Sequence, residues 1–170
     1  MRILVVHVSE VRFWAVKEAI ESPPDPPSKF EGRDCVVGFV SVEEGDSMEL
    51  VEQAALEIAE HAKRSGVSCA VVYPFAHLSP SLAPPEVAAP LLRAIEERLR
   101  AMGLQAVRAP FGWYKGFTIT CPGHPACELS RTITAPRGPW FVADGRKMLV
   151  KDAIASGLLP PEVEPGNPWD

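Results

Sequence analysis

No apolar run in the 170 residues approaches the roughly 20 that a membrane-spanning helix needs, so no transmembrane segment is predicted. Basic charge is not in excess: 17 lysines and arginines face 22 aspartates and glutamates, and the net charge of −5 argues against a general nucleic-acid coat. Cysteine is scarce, at four residues, and two of them stand inside apolar runs where a thiol is ordinarily a small buried hydrophobe. A disulfide scaffold is therefore not expected, and reduced thiols in a cytoplasmic protein are. The opening RILVVHV is too short for a signal peptide and has no small-residue cleavage site after it. Neither G-x-G-x-x-G nor G-x-x-x-x-G-K-[ST] occurs, which removes support for a dinucleotide fold or a P-loop. There is no internal repeat.

What is present is 46% hydrophobic, enough for a core, in a length natural for one domain. The 18 prolines are about twice ordinary usage, and they cluster at 23–27, 80–90, 122–139 and 160–168, so they punctuate segments. RILVVHV at 2–8 and CVVGFVSV at 35–42 are continuous apolar runs rich in β-branched residues, which predicts strands buried on both faces. SPPDPPSK at 22–29 between them is a loop. A helix follows, capped by Asp46 or Ser47, with Leu50, Val51, Ala54, Ala55 and Ile58 on its inner face and Gly66 at its end. VSCAVVY at 67–73 is a third strand. A second helix is predicted from Pro85 to Met102, with Pro90 near enough to its start to be tolerated. Strands are expected at 104–109, 116–121 and 129–135, and a hairpin at 140–150 around Asp144-Gly145. A short helix at 151–158 and a proline-rich linker complete the pattern. The expected architecture is α/β, a mixed sheet with two main helices.

Charge is distributed unevenly. Residues 1–100 carry a net −6, residues 101–151 a net +5, and residues 152–170 four acidic groups. An anionic partner would meet the middle segment, for instance at Arg131 or Lys147.

Three segments are richer in polar and special residues than a core requires: YPFAHLS at 73–79, APFGWYK at 109–115 and CPGHPACELSRT at 121–132. The first follows a predicted strand directly, where strand ends present ligand-binding groups. Cys121, His124 and Cys127 have C-x2-H-x2-C spacing, but a closed zinc site needs four ligands, and His77 or His7 would have to complete it; no metal is expected. A thiol nucleophile at Cys121 or Cys127, paired with His77 or His124, is an alternative.

YPFAHLS, APFGWYK and GHPACELSRTI stand in the order and at the spacing of the N-terminal editing domain of archaeal threonyl-tRNA synthetases, which the chain resembles from MRILVVHV to about Thr134. The resemblance implies a fold similar to that of D-aminoacyl-tRNA deacylases, a homodimer, and hydrolysis of serine wrongly attached to threonine tRNA, without a cofactor. It implies catalytic roles for Lys115, His77 and Glu128. Val42, Pro74, Phe75 and Ala76 match positions that frame the family's amino-acid pocket. Trp113 stands where the family usually has tyrosine, and either it or Tyr114 is available to stack on the terminal adenine. Each residue also has a plainer reading: an exposed lysine, a loop-bracing histidine, a solvated edge glutamate, packing aromatics. On the resemblance, residues 1–138 form the editing domain. Residues 139–170 form an extension toward a synthetase body, in cis or in trans. A D-aminoacyl-tRNA deacylase, or a non-catalytic tRNA-binding or dimerisation module, are the alternatives.

Overall fold

A computed structural model of the chain describes residues 1–134, 140–143, 146–149 and 157. The first strand, β1, runs from Arg2 to Glu18, well past the predicted end at residue 8. Its second half continues because Val11 and Phe13 are buried while Arg12 and Trp14 are exposed, the alternation of a strand with one wet face. β2 (Lys29–Ser41) pairs antiparallel with it along nearly its whole length, from Arg2 opposite Ser41 to Trp14 opposite Lys29. Asp34 in β2 takes a left-handed backbone, φ 50°, which an aspartate tolerates better than a branched residue.

A short 3-10 turn at Met48–Leu50 leads into α1 (Val51–Ser65), closed by Gly66 at φ 71°. Asp46 does not cap this helix; its carboxylate accepts from the Met1 amino group at 2.7 Å and from the Glu43 amide at 2.7 Å. β3 (Cys69–Pro74), α2 (Pro85–Ala101) and β4 (Gln105–Arg108) follow. Pro90 sits inside α2 without ending it. β2, β3 and β4 are parallel, as strands joined through helices must be when they share a sheet direction. β5 (Trp113–Thr120) and β6 (Glu128–Thr132) both run antiparallel to β1, β5 along its second half and β6 along its first. The mixed sheet therefore has the order β4-β3-β2-β1-β5, with β6 also on β1.

Both faces of the central strands are covered. Val36 and Val40 of β2 face a core with Ile58 of α1 and Leu92, Ile95 and Leu99 of α2. The intervening Val37 and Phe39 face a second cluster with Phe13, Val71 and Tyr73. Gly38 lets Ile58 of α1 pack close on β2: a Cβ there would lie 2.9 Å from Ile58 Cδ1, and the isoleucine side chain would have to shift.

The cysteines correct an expectation. Cys35 is bonded to Cys69 and Cys121 to Cys127, where reduced thiols were predicted. The parallel register of β2 and β3 sets Cys35 directly opposite Cys69, with Cα atoms 4.5 Å apart, a juxtaposition no single strand reveals.

The chain divides into two compact units, residues 1–134 and 135–170. In the second, β7 (Trp140–Ala143) pairs antiparallel with β8 (Arg146–Leu149). The Asp144-Gly145 turn and most of the predicted 151–158 helix lie outside the described residues. No described helix is long and apolar enough to cross a membrane.

Candidate active site

β2 and β3 end side by side, and the segments that leave them frame a cleft of about 540 Å³. Val42 follows β2 directly, and Pro74, Phe75, Ala76 and His77 leave β3 through a one-turn 3-10 helix. This corner is tied by backbone: the Phe75 amide donates to Val40 O at 2.9 Å, and the Ala83 amide to Val42 O at 3.0 Å. The Ser41 hydroxyl donates to Phe75 O. The opposite wall is the 111–115 segment at the start of β5, including Trp113, Tyr114 and Lys115. The location matches a general rule, that ligand sites form beyond the carboxyl ends of parallel strands.

Lys115 enters this wall at a β-bulge, where β1 slips one residue between Ala15 and Lys17. Its ammonium donates to Pro110 O at 3.1 Å and to Trp113 O at 3.0 Å, and lies 5.2 Å from the centre of the Tyr73 ring. Among the described residues two of its three N–H groups are thus used, and one remains for a ligand. Burial pushes its pKa down to about 8, against the opposing field of Asp25. Burial also raises Tyr73, to about 12, so its ring is a neutral face beneath the lysine.

His77 is exposed at the cleft rim with its ring edge-on to Phe75 at 5.2 Å. The two neighbouring aromatics separate in role. Trp113 is half-buried and donates from Nε1 to Asp25 O at 2.9 Å, whereas Tyr114 is 62% exposed. Tyr114 is the one free to stack.

Glu128 is not brought to the cleft. It opens β6 opposite Val6, is exposed, and has the Cys121 sulfur 3.8 Å from its carboxylate. Glu128 and Lys115, both expected in the site, are kept apart within this chain, because β6 pairs with the first half of β1 while Lys115 pairs with the second half. Cys121 and Cys127 lie on this same side, bonded to each other, and neither lines the cleft. The C-x2-H-x2-C motif is divided in use: His124 Nε2 lies 2.7 Å from His7 Nδ1, and its own Nδ1 accepts from the Ala126 amide. His61, buried, meets Cys127 O at 3.1 Å, and burial lowers its pKa. Cys121, Cys127 and Glu128 could gather around a metal only with the sulfurs released as thiolates.

The positive middle segment is less available than its net charge implies. Arg108 is committed to Asp25 and Glu96, and Arg131 pairs with Glu57 at 3.2 Å. Asp25 itself escaped the sequence reading. It is 7% exposed, in the proline-rich loop, and accepts from the Phe111 amide at 2.8 Å. Burial opposes its ionisation, but the hydrogen bonds from Arg108 and Phe111 outweigh that and hold its pKa below the usual carboxylate range. A carboxylate flanked by two prolines on each side was the available signal, since prolines restrict the backbone that carries it.

A family model described as the archaea-specific editing domain of threonyl-tRNA synthetase matches residues 1–133. The chain is 42% identical over 164 residues to the threonine–tRNA ligase editing subunit of Aeropyrum pernix, covering 94% of this chain and 39% of that protein. It is 45% identical over 139 residues to the threonine–tRNA ligase of Pyrococcus furiosus, covering 78% of this chain and 22% of that one. The chain thus spans well under half the length of these relatives. Among solved structures, a c-Myc DNA unwinding element binding protein superposes with a TM-score of 0.60 at 12% identity, covering 79% of this chain and all of that one. A probable eukaryotic D-amino acid tRNA deacylase superposes with a TM-score of 0.50 at 11% identity, over 76% and 97%. At such identities the two structures share the fold alone.

Proposed function

Because the chain belongs to the archaea-specific family of threonyl-tRNA synthetase editing domains, we propose that it is a proofreading aminoacyl-tRNA deacylase that removes serine from mischarged seryl-tRNA(Thr). The need for such a site is energetic. Serine is smaller than threonine by one methyl group, and a missing methylene is worth only about 1–3 kcal/mol to a pocket, too little discrimination for protein synthesis. A second, smaller site that admits serine and hydrolyses its ester corrects the error.

The observation that carries this reading is Lys115, a desolvated ammonium with one free N–H in a cleft walled by Val42, Pro74, Phe75 and Ala76. Water attacks the ester carbonyl, the terminal ribose hydroxyl of the substrate helps place or activate that water, and Lys115 offsets charge on the tetrahedral oxyanion. His77 orients the water or the ribose from the rim, and Tyr114 stacks on the terminal adenine. Glu128, remote from the cleft of its own chain, serves the substrate only from outside that cleft. We further read residues 1–138 as the editing domain, acting in the cytoplasm as a homodimer. It works with a synthetase body in cis or in trans, as the relatives' two arrangements, whole ligase and separate editing subunit, suggest.

The test is single-turnover release of amino acid from seryl-, threonyl- and D-aminoacyl-tRNA. Serine should be released in preference to the other two. Lys115→Met should lose about 10²–10³ in rate, the worth of an oxyanion donor, His77→Ala less, and Cys121→Ala little. Substrate lacking the terminal 2′-hydroxyl should react slowly. Preferential release of D-amino acids would assign the chirality-selecting activity instead, and a trapped acyl-enzyme would replace the water mechanism with a thiol.

A further inference from the structure

We propose that Asp25 is a positioning residue for the reaction: from the proline-rich loop it clasps the segment that carries Lys115 and so holds the ammonium at the cleft. The inference rests on Lys115 acting as described above, and it goes beyond that role to what keeps the lysine in place.

The clasp is made at four points. The Asp25 carboxylate takes both Nη atoms of Arg108 and also the Phe111 amide, at 2.8 Å. The Asp25 carbonyl accepts from Trp113 Nε1 at 2.9 Å. Just before it in the chain, the Ala19 amide donates to Gly112 O at 2.8 Å. Gly112 has φ 84°, and a Cβ there would lie 2.9 Å from Ile20 and 3.0 Å from Pro23, so the loop packs on the bare glycine. Residues 111, 112 and 113 are therefore each tied to the 19–25 loop. The carbonyls that hold the ammonium, Pro110 O and Trp113 O, bracket that clasped segment.

The arrangement is built for rigidity. Asp25 is 7% exposed, and Arg108 is held in turn by Glu96 at 3.1 Å. Arg93 of α2 stands 3.6 Å away as a second cation. A bidentate guanidinium–carboxylate pair fixes both distance and orientation. Pro23 and Pro24 precede Asp25, and Pro26 and Pro27 follow it, which limits the backbone freedom that the pair must overcome. None of these groups needs to touch substrate, so the role is placement.

Asp25 also acts through its field. Among the described residues, Asp25 is the charged group whose field raises Lys115 against the lowering by burial. The other groups around the lysine are the Tyr73 ring from β3, neutral because burial raises its pKa, and His77 and Tyr114 lining the same cleft. Arg93 and Arg108 pair with Asp25, and Glu96 pairs with Arg108.

The experiment measures kcat, KM and the pH profile of seryl-tRNA hydrolysis for the full chain, Lys115→Met and Asp25→Asn, with amine-labelling of Lys115 followed by mass spectrometry. Asp25→Asn should lower kcat by about ten- to a hundredfold, the scale of a small misplacement of a catalytic group, with KM within about twofold. Its alkaline limb should move to lower pH, and Lys115 should label faster at neutral pH because more of it is uncharged. If Asp25→Asn does not fold, Asp25→Asn/Arg108→Gln removes both charges of the pair, with Glu96 still held by Arg100, and should show the same directions. An unchanged kcat, alkaline limb and labelling rate in a folded variant would overturn the inference while leaving the role of Lys115 intact. An active Lys115→Met would overturn the role of Lys115 instead.

Discussion

Raising the pH should switch this protein off through one group. Lys115 is held at a pKa of about 8 because burial strips water from its ammonium, and the field of Asp25 recovers only part of the loss. At pH 7 about nine in ten molecules then carry the charge that is proposed to meet the oxyanion, and at pH 9 about one in ten do. The catalysed rate should fall about tenfold between those values, whereas a lysine with an ordinary pKa near 10.4 would lose about 4%. The assay is single-turnover release of labelled serine from seryl-tRNA between pH 6 and 9.5. The rate of Lys115→Met at each pH is subtracted, to remove hydrolysis by free hydroxide. Lys115→Arg supplies the control: a guanidinium stays charged throughout, so whatever activity it retains should show no decline from this source. A catalysed rate that stayed level to pH 9.5 would refute the tuning by burial. A rate that rose with an apparent pKa near 8 would refute the electrostatic role and make the neutral amine a general base.

Gly112→Ala should destabilise the protein by about 1–3 kcal/mol, since φ is 84° and a Cβ would meet Ile20 and Pro23; urea melts would read it. Tyr114→Ala should raise KM for charged tRNA with little effect on kcat, because an exposed aromatic that stacks on a base is worth about 1–3 kcal/mol; an unchanged KM would deny the stacking role. Acid should destabilise the fold in two steps. His61 has a folded pKa below its unfolded value, so the unfolded chain binds the extra proton and stability falls as pH drops below about 6.5. Asp25 and Glu43, lowered by their hydrogen bonds and ion pairs despite burial, contribute stability above their unfolded values that is lost as pH falls through the folded ones. His61→Gln should remove the first step from a Tm-versus-pH curve. Reducing the Cys35–Cys69 bridge, which spans 34 residues, should lower stability by about 3–4 kcal/mol on the chain-entropy account, visible as a Tm drop with dithiothreitol that is larger in the parent than in Cys35→Ala/Cys69→Ala, where only the Cys121–Cys127 bridge is left to reduce.

Much of the scaffold was already in the sequence, because its causes are local. Helical spacing and Gly66 set the end of α1, while its start falls a few residues after the expected cap because a 3-10 turn intervenes, and continuous apolar runs placed β2 and β3. Val42, the 74–77 segment and the 113–115 segment, singled out in the sequence, meet in one cleft because strand ends β2 and β3 adjoin. The tertiary structure alone decided matters that depend on partners far along the chain. Glu128 was set apart from Lys115 by which half of β1 each strand pairs with. Cys35 met Cys69 through the register of two parallel strands. Asp25 lies 83 residues from Arg108, and no periodicity or spacing connects them. Propensity and hydrophobic pattern act over a few residues, so they specify elements. A buried charge is tolerated only where its partner is delivered, and that delivery is a property of the completed fold.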